Sequence, residues 1–123
     1  YLRIVPEHGS IEVGHINYSL ILQNTVEGTE TMYLMMYNAF ENLGNRRYEW
    51  KCNNLNKDSK KAAKRLGFKY EGIFRQMFVF KGRNRDSAWF SIIDKEWKQI
   101  QTRFKKYLNP SNFDNNYKQI KKL

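Results

Sequence analysis

The chain has few of the residue types that build disulfide frameworks or metal centres. Its 123 residues include one cysteine, Cys52, and two histidines, which lie far from it in the sequence. A single cysteine excludes an internal disulfide and is typical of a reducing compartment, so the sequence predicts a cytoplasmic protein. We predict no metal site, because these side chains lack the close spacing of zinc ligands.

Long apolar runs are missing as well. No segment approaches the roughly 20 consecutive apolar residues that span a bilayer, so we expect no membrane partner. Hydrophobic residues nevertheless make up 41% of the chain and aromatic residues 15%. That content is enough for a packed core, and the length suits one domain rather than two.

Acidic residues are scarce relative to basic ones, with 12 Asp and Glu against 22 Lys and Arg and a net charge of +10. The excess is uneven, because Arg3 is the only lysine or arginine among the first 42 residues. A basic second half suits a polyanionic partner, such as nucleic acid or a phosphate-rich cofactor. A solvated basic surface explains the same charge equally well.

Hydrophobic periodicity predicts strands and helices in the order β, β, α, β, α, β, β, α. We expect strands at Tyr1–Val5, Ile11–Asn17, Arg46–Cys52, Glu71–Lys81 and Asp86–Asp94. We expect helices at Thr29–Leu43, Lys57–Leu66 and Lys95–Leu108. This order predicts a mixed α/β (α+β) sheet covered by helices, with a turn at residues 82–85 between the last two strands. Residues 1–108 would form the core, and residues 109–123 a basic, flexible tail.

The segment from Gln23 to Thr29 connects a strand to a helix. The start of a helix leaves backbone N–H groups unpaired and carries partial positive charge, so it can bind an anion. Gly28 would let the backbone approach a phosphate closely, and Gly28 or Thr29 would cap the helix. Taken alone, this segment is explained more simply as an ordinary loop before a capped helix.

A second polar segment, Asn56 to Ser59, begins the short helix that ends at Gly67. Its apolar positions, Ala62, Ala63 and Leu66, are expected to face the core, while Lys60, Lys64 and Arg65 face outward. Asn56 is placed to hydrogen-bond a ligand at the mouth of the loop. Capping of the helix would account for the same residue.

Together these segments resemble the GNAT superfamily of N-acetyltransferases. The run Gln23-x-x-Val26-x-Gly28 resembles its pyrophosphate loop, Gln/Arg-x-x-Gly-x-Gly/Ala, although Val26 replaces the usual glycine. Asn56-x-x-Ser59 and the closing Leu66-Gly67-Phe68 resemble its second cofactor motif. The runs at 47–52, 72–75 and 85–89 resemble the RimJ/RimL-like branch, which contains N-terminal protein acetyltransferases. The resemblance covers about residues 1–97 and starts near the third strand of the family's fold, so we expect a GNAT fold truncated at its N-terminus.

The resemblance implies acetyl-CoA as co-substrate and a primary amine, on a protein N-terminus or a small molecule, as acceptor. Strands Ile11–Asn17 and Arg46–Cys52 would splay apart around the pantetheine arm, and Asn56 would hydrogen-bond that arm. The pyrophosphate would be bound by Gln23, Asn24, Thr25, Val26, Gly28 and Thr29. The thioester carbonyl would face the backbone amides of Trp50, Lys51 and Cys52, which would stabilise its developing negative charge.

Two side chains are expected to move protons in direct acetyl transfer. Ser59 would protonate the leaving thiolate, because the tyrosine that many GNAT enzymes use for this step falls at Ala63. Glu12 is the first candidate for the general base and His15 the second, and strand alternation places them on opposite faces. A helix-start hydroxyl without chemistry is the alternative for Ser59, and a surface position is the alternative for Glu12.

Three further expectations complete the interpretation. Cys52 would be a buried strand residue rather than a nucleophile. Loss of the front of the fold would expose apolar surface and favour a homodimer. A non-catalytic module for CoA or RNA is the alternative function, motivated by the basic helix Lys95–Leu108, although nucleic acid is the less favoured partner. Six aromatic residues are expected to lie mostly in the core, namely Tyr33, Phe40, Trp50, Phe68, Phe74 and Phe90.

Overall fold

The computed structural model describes residues 1–14, 25–112 and 122–123, and the strands of this part form one mixed sheet. Its strands are β1 (Leu2–Val5), β2 (Ser10–Val13), β3 (Arg47–Asn53), β4 (Lys69–Phe80) and β5 (Arg83–Ile93). Its α-helices are α1 (Val26–Tyr37), α2 (Lys57–Arg65) and α3 (Asp94–Leu108). The predicted order and the mixed α/β class are therefore confirmed.

One pair of neighbouring strands in the middle of the described sheet is parallel. The order is β1-β2-β3-β5-β4, in which β2 and β3 are parallel and the other described neighbours are antiparallel. Pairing of β2 with β3 runs from Ser10–Arg47 to Val13–Trp50. Beyond this point Gly14 is outside the strand, whereas β3 continues to Asn53 alongside β5. The predicted end of β2 at residue 17 lies outside the described residues.

Alternation along β3 separates an apolar face from a charged one. Tyr48, Trp50 and Cys52 are buried under the helices, and the Tyr48 ring lies 5.9 Å from that of Phe40 and 5.6 Å from that of Phe68. The intervening residues of β3 face the other way, because successive strand residues point to opposite sides. The helix-covered side therefore holds the core, and the opposite side holds the charges described below.

Helix α1 begins three residues earlier than predicted. The cap is Thr25 rather than Gly28 or Thr29, and its Oγ1 accepts a hydrogen bond from the Gly28 N–H at 3.1 Å. Threonine serves this role because its extended backbone leaves the hydroxyl free to bond the first turn. After Tyr37 the helix continues as a π-helical segment, Asn38–Asn42.

The β4–β5 turn is also shorter than predicted. Lys81 and Gly82 both have positive φ, 52° and 73°, which is the signature of a two-residue type I′ turn. Arg83 to Arg85 therefore belong to β5 rather than to the turn. Phe74, predicted to lie in the core, is 49% exposed on β4, so that prediction is wrong. The other five aromatic residues assigned to the core are buried.

Helix α3 ends as predicted, and the chain then turns once more. Pro110–Asn112 forms a short 3-10 turn in which the buried Asn112 donates from Nδ2 to the Tyr107 carbonyl at 2.9 Å. The side chain of Leu123 packs against the core. Most of the expected tail, residues 113–121, lies outside the described residues.

Substituting Gly67 should test how α2 meets α3. Gly67 has φ of 103°, and an added Cβ would lie 3.2 Å from Cγ1 of Ile100. We expect Gly67→Ala to lower the free energy of unfolding by about 1–3 kcal/mol, as measured by urea denaturation. Gly44→Ala is the control, because Gly44 has φ of 66° and nothing within 4 Å of an added Cβ. Equal losses in the two variants would exclude a contribution from the Ile100 contact.

Candidate functional site

The first turn of α1 presents backbone donors at the edge of the helix-covered side. The first bond within the helix runs from the Thr29 N–H to the Thr25 carbonyl at 3.1 Å, and the Gly28 N–H is occupied by the Thr25 cap. The N–H groups of Val26 and Glu27 precede those bonds, and no described residue accepts from them. Within the described part of the chain, they are therefore the N–H groups of this turn that are left for an anion.

A guanidinium reaches this turn from α2. Arg65 donates from Nη1 to Oγ1 of the buried Thr29 at 3.0 Å and from Nη2 to the Tyr107 hydroxyl at 3.3 Å. Its charge joins the partial positive charge of the helix start, an arrangement that favours a bound phosphate. From the sequence, Arg65 was expected to face outward and was assigned no role in the site.

The hydroxyl of Ser59 lies in a small polar cluster under the sheet. Its Oγ accepts a hydrogen bond from the Trp50 indole Nε1–H at 3.1 Å. The Ser59 side chain also hydrogen-bonds that of Cys52. Because the indole can only donate, the Ser59 proton is free to point toward sulfur. The cluster thus holds a hydroxyl ready to donate to a thiol or thiolate.

Burial raises the pKa of the Cys52 thiol above its usual value, while Ser59 and the charges of Lys60 and Arg85 oppose the shift. A thiol with a raised pKa stays protonated at neutral pH and is a poor nucleophile. The buried position predicted for Cys52 is confirmed. Within the site, Cys52 is a neighbour of Ser59 rather than a nucleophile.

Asn56 caps α2 and is exposed. Its Oδ1 accepts from the Ser59 N–H at 3.0 Å, so the amide oxygen orients the start of the helix. Lys60, one turn later, donates from Nζ to the carbonyl and side-chain oxygens of Asn54 at 3.1 and 3.0 Å. These bonds fix the loop between β3 and α2 and hold Ser59 in position.

A charged cluster occupies the opposite face of the same strands. Glu12 and Glu49 are buried and sit side by side in the parallel register. Lys51 bridges them, with Nζ 3.5 Å from Glu12 and 3.7 Å from Glu49, and also lies 3.9 Å from the centre of the Trp89 ring. Glu12 pairs with Arg3 as well, at 3.0 Å. To accept a proton, Glu12 would have to exchange one of these cations for the donor.

The cluster extends outward through Arg47. Its Nε lies 2.9 Å from Glu49, and its two terminal nitrogens bind both carboxylate oxygens of Glu71 at 3.1 and 2.5 Å. The hydrogen bond from Arg47 lowers the pKa of Glu71, and the hydrogen bond from Arg47 to Glu71 raises the pKa of Arg47. This pair therefore stabilises the fold while Glu71 is ionised.

The Arg47–Glu71 pair predicts a specific dependence of stability on pH. Since the pKa of Glu71 is lowered in the folded state, its contribution is present above the usual glutamate value of about 4.3 and is lost as pH falls below it. We expect Glu71→Gln to cost at most about 1 kcal/mol at pH 7, because the pair is partly exposed. Chemical denaturation at several pH values should show this difference vanish in acid. A difference that persists there would exclude ionisation as its cause.

The charged face continues onto β5 with polar atoms that have no partner. Arg85 Nε, Ser87 Oγ and Trp89 Nε1 are shut off from water and make no hydrogen bond. An unpaired buried donor costs about 1–3 kcal/mol, so three in a row on one strand are an unusual feature of a site.

Solved structures of acetyltransferases are similar to this chain. A GCN5-related N-acetyltransferase from Brucella melitensis is 46% identical with a TM-score of 0.96, over 98% of this chain and 55% of that one. A probable acetyltransferase of the GNAT family from Chromobacterium violaceum is 49% identical with a TM-score of 0.72, over 74% of this chain and 46% of that one. A dodecameric spermidine N-acetyltransferase from Vibrio cholerae, 19% identical with a TM-score of 0.66 over 76% of this chain and 54% of that one, shares the fold. The chain has the GNAT acetyltransferase fold.

The predicted GNAT fold class is thereby confirmed, and the similarity supports the GNAT superfamily and acetyl transfer in general. The chain spans about half the length of these GNAT structures. No protein-family model matches the sequence, and a search of curated proteins found no match.

The predicted GNAT site residues that the structure describes fall into three groups. Trp50, Cys52 and Ser59 come together under the sheet, and Asn56 caps the helix that carries Ser59. Those of the α1 start, Thr25, Val26, Gly28 and Thr29, lie in the first turn as described. Glu12 and Lys51 meet on the opposite face. Gln23, Asn24 and His15 lie outside the described residues.

Two absences hold for the part of the chain that the structure describes. No group of three or more His, Cys, Asp or Glu side chains could hold a metal ion there. None of the described helices is long and apolar enough to span a membrane.

Proposed function

We propose that this chain is the acetyl-CoA-binding and transfer core of an N-acetyltransferase of the RimJ/RimL-like branch, acting on a primary amine of a protein N-terminus or small molecule. The observation that carries the proposal is the arrangement about β3. On one face Ser59 lies between the Trp50 indole and Cys52. On the other face lie the carboxylates of Glu12 and Glu49. The two faces meet where β2 stops pairing with β3.

The phosphates of acetyl-CoA would bind at the start of α1. Open N–H groups at Val26 and Glu27 and the guanidinium of Arg65 supply donors and positive charge there. Gln23 and Asn24 would complete this cradle, as the resemblance implies, and Thr25, Gly28 and Thr29 hold its shape. Acetyl-CoA supplies an acetyl thioester that an unprotonated amine can attack directly.

The two faces of β3 supply the groups that move protons in the reaction. Ser59 donates its proton to the sulfur that leaves as the C–S bond breaks and the C–N bond forms, and the Trp50 indole N–H stabilises the oxygen left behind. The backbone amides of Trp50, Lys51 and Cys52 face the thioester carbonyl. Glu12 accepts the proton of the ammonium group on the opposite face, in exchange for its contact with Arg3 or Lys51.

Calorimetric titration with acetyl-CoA tests the proposal most directly. We expect saturable heat and a rise in melting temperature, followed by thiol release when an amine is added. Absence of both heat and thermal shift at millimolar acetyl-CoA would contradict the proposal and every other role that depends on CoA.

Arg65 offers a sharper test of where the phosphates bind. We expect Arg65→Met to weaken acetyl-CoA binding about tenfold in calorimetry, since a hydrogen bond to a charged group contributes about 1.5–3 kcal/mol and this residue is exposed. Lys64→Met, which removes a neighbouring exposed charge, is the matched control and should change little. Equal weakening by the two variants would mean that the overall charge of α2, rather than a contact at α1, is responsible.

A non-catalytic basic module for RNA is the second candidate. It is favoured by the cations that α3 exposes, Lys95, Lys98, Arg103, Lys105 and Lys106. Nucleic-acid binding should weaken steeply with salt because counterions are released, whereas CoA binding through backbone donors should weaken much less. Titrations of both ligands at two salt concentrations separate these functions.

We also propose a homodimer. Its support is the edge strand β4, on which Val79 is 80% exposed and Phe80 60% exposed. Exposed apolar side chains on an unpaired strand edge favour pairing with a second copy. Light scattering at micromolar concentration should give twice the chain mass, and a monomer there would refute the proposal.

A further inference from the structure

A strained arginine lies beside the carboxylate of Glu12, the general base of the proposed reaction. Strand β1 bulges against β2, because the register shifts between Leu2 and Val5, where β1 holds one residue more than the facing part of β2. Arg3, inside the bulge, has φ of 44°, in the left-handed region that residues other than glycine seldom adopt. Backbone strain next to a candidate base suggests that the strained residue has a functional role.

The bulge brings the Arg3 side chain to the carboxylate. Its Nε donates to Oε2 of Glu12 at 3.0 Å, although the Arg3 side chain is 55% exposed and that of Glu12 only 5%. Arg3 is also the only lysine or arginine among the first 42 residues. The one cation of this long segment therefore pairs with the carboxylate that has to accept a proton.

Two cations contact Glu12 among the described residues, and they differ in how easily they leave. Lys51 approaches Oε1, is 11% exposed, and also contacts Glu49 and the Trp89 ring. Arg3 bonds Oε2 through Nε alone, from a strand at the edge of the described sheet. A half-exposed ion pair contributes little to stability and exchanges readily. An incoming cation therefore displaces Arg3 rather than Lys51.

We propose that Arg3 occupies the place of the acceptor's ammonium group and leaves it when the acceptor binds. Guanidinium and ammonium are both cationic N–H donors to a carboxylate oxygen. The ammonium group takes the hydrogen bond at Oε2 of Glu12, transfers one proton to that oxygen, and keeps the lone pair that attacks the thioester. Arg3 is thus a specificity residue that every acceptor has to outcompete. This inference rests on the proposed transferase function.

Methylguanidinium chloride tests the exchange without any turnover, because it carries the group that Arg3 places on Glu12. At millimolar concentration it should raise the melting temperature of the full chain carrying Arg3→Gly, since glycine accepts the left-handed backbone and leaves Oε2 open. The wild-type chain should need about two- to fivefold more of the salt for the same rise, because its own guanidinium competes. Equal responses of the two proteins would overturn the inference.

Two controls identify the place where methylguanidinium binds. The double variant Arg3→Gly/Glu12→Gln removes the negative charge that holds the cation, so its melting temperature should not respond. Tetramethylammonium chloride has no N–H donor and controls for ionic strength, so it should leave Arg3→Gly unchanged. A response that survives in the double variant, or that tetramethylammonium reproduces, would refute binding at Glu12.

Steady-state kinetics separate competition from support of the fold. In the thiol-release assay Arg3→Gln should lower KM for the amine about two- to fivefold, the range for one partly exposed ion pair. The value of kcat should not change, because Arg3 has already left Glu12 in the complex with the amine. Arg103→Gln removes an exposed arginine of α3 and should change neither quantity. A residue that only supports the fold would instead lower kcat or raise KM when replaced.

The outcomes separate this inference from the proposed function. Turnover of amine and acetyl-CoA, with KM unaffected by Arg3→Gln and no response of Arg3→Gly to methylguanidinium, would refute the role of Arg3 and leave acetyl transfer standing. A methylguanidinium response that depends on Glu12, without acetyl-CoA binding or turnover, would support the cation place and contradict the transferase.

Discussion

Replacing Lys51 with methionine is expected to lower the free energy of unfolding by about 1–3 kcal/mol, because Glu12 and Glu49 each lose one of two cations and keep Arg3 and Arg47. The ammonium bridges Glu12 and Glu49, whose side chains are only 5% and 11% exposed. Without it, two nearly buried carboxylates face each other across the parallel register. Methionine preserves the apolar stem and its contact with Trp89, so the loss comes from charge. Urea denaturation measures the change.

Two comparisons isolate that charge effect. Lys69→Met removes a lysine that is 75% exposed and paired with Glu96, and it should cost no more than about 1 kcal/mol. The double variant Glu12→Gln/Lys51→Met removes one of the two carboxylates and should recover part of the loss. If the double variant is no more stable than Lys51→Met alone, the carboxylates are not the source of the destabilisation.

The hydrophobic periodicity of the sequence was sufficient to predict the strands and helices that carry the site. The spacing of apolar residues in α1 and α3 and the alternation along β3 depend on local geometry, which the sequence displays directly. The order of the elements then limited the topology, and the similar solved structures bear out the fold. The predicted ends of the elements were less accurate. Helix α1 begins earlier than predicted because the Thr25 hydroxyl caps it.

The contacts between distant elements were not visible in the sequence. Glu12, Glu49 and Lys51 meet only because β2 and β3 pair in one parallel register, and a shift of one residue would turn Glu12 to the other face. Arg65 occupies an outward position on α2, as expected, yet its long side chain reaches α1. Secondary-structure propensity does not reveal which neighbouring residue such a side chain contacts.

Phe74 was misplaced because of an irregularity in β4. Between Phe74 and Phe78 the strand bulges, and Gln76 adopts φ of 53° with its N–H donating to Asp86 at 2.6 Å. That hydrogen bond, followed by one from Asn84, lowers the pKa of Asp86. Alternation along a strand predicts burial only while pairing is regular, so the bulge removes the basis for placing Phe74 in the core.

Replacing Ser59 with alanine is expected to reduce the turnover of acetyl-CoA with an amine by about 10²-fold, the scale of a lost general acid. The Trp50 indole N–H holds the hydroxyl oxygen, and to act as the acid Ser59 exchanges its contact with Cys52 for the leaving sulfur of the thioester. The dissociation constant of acetyl-CoA should change little, because the phosphates bind at α1. Steady-state thiol release and calorimetry measure the two quantities, and Ser59→Thr should retain part of the activity.

The leaving group distinguishes an acid from a structural hydroxyl at Ser59. A thioester of a more acidic thiol needs less help from a proton donor as its C–S bond breaks. The Ser59→Ala substitution should therefore reduce the turnover of such a thioester much less than it reduces the turnover of acetyl-CoA. A hydroxyl that only supports Trp50 and the start of α2 would affect both donors equally, because both require the same folded site. Equal losses would remove Ser59 from the chemistry and leave it as a residue that positions Trp50.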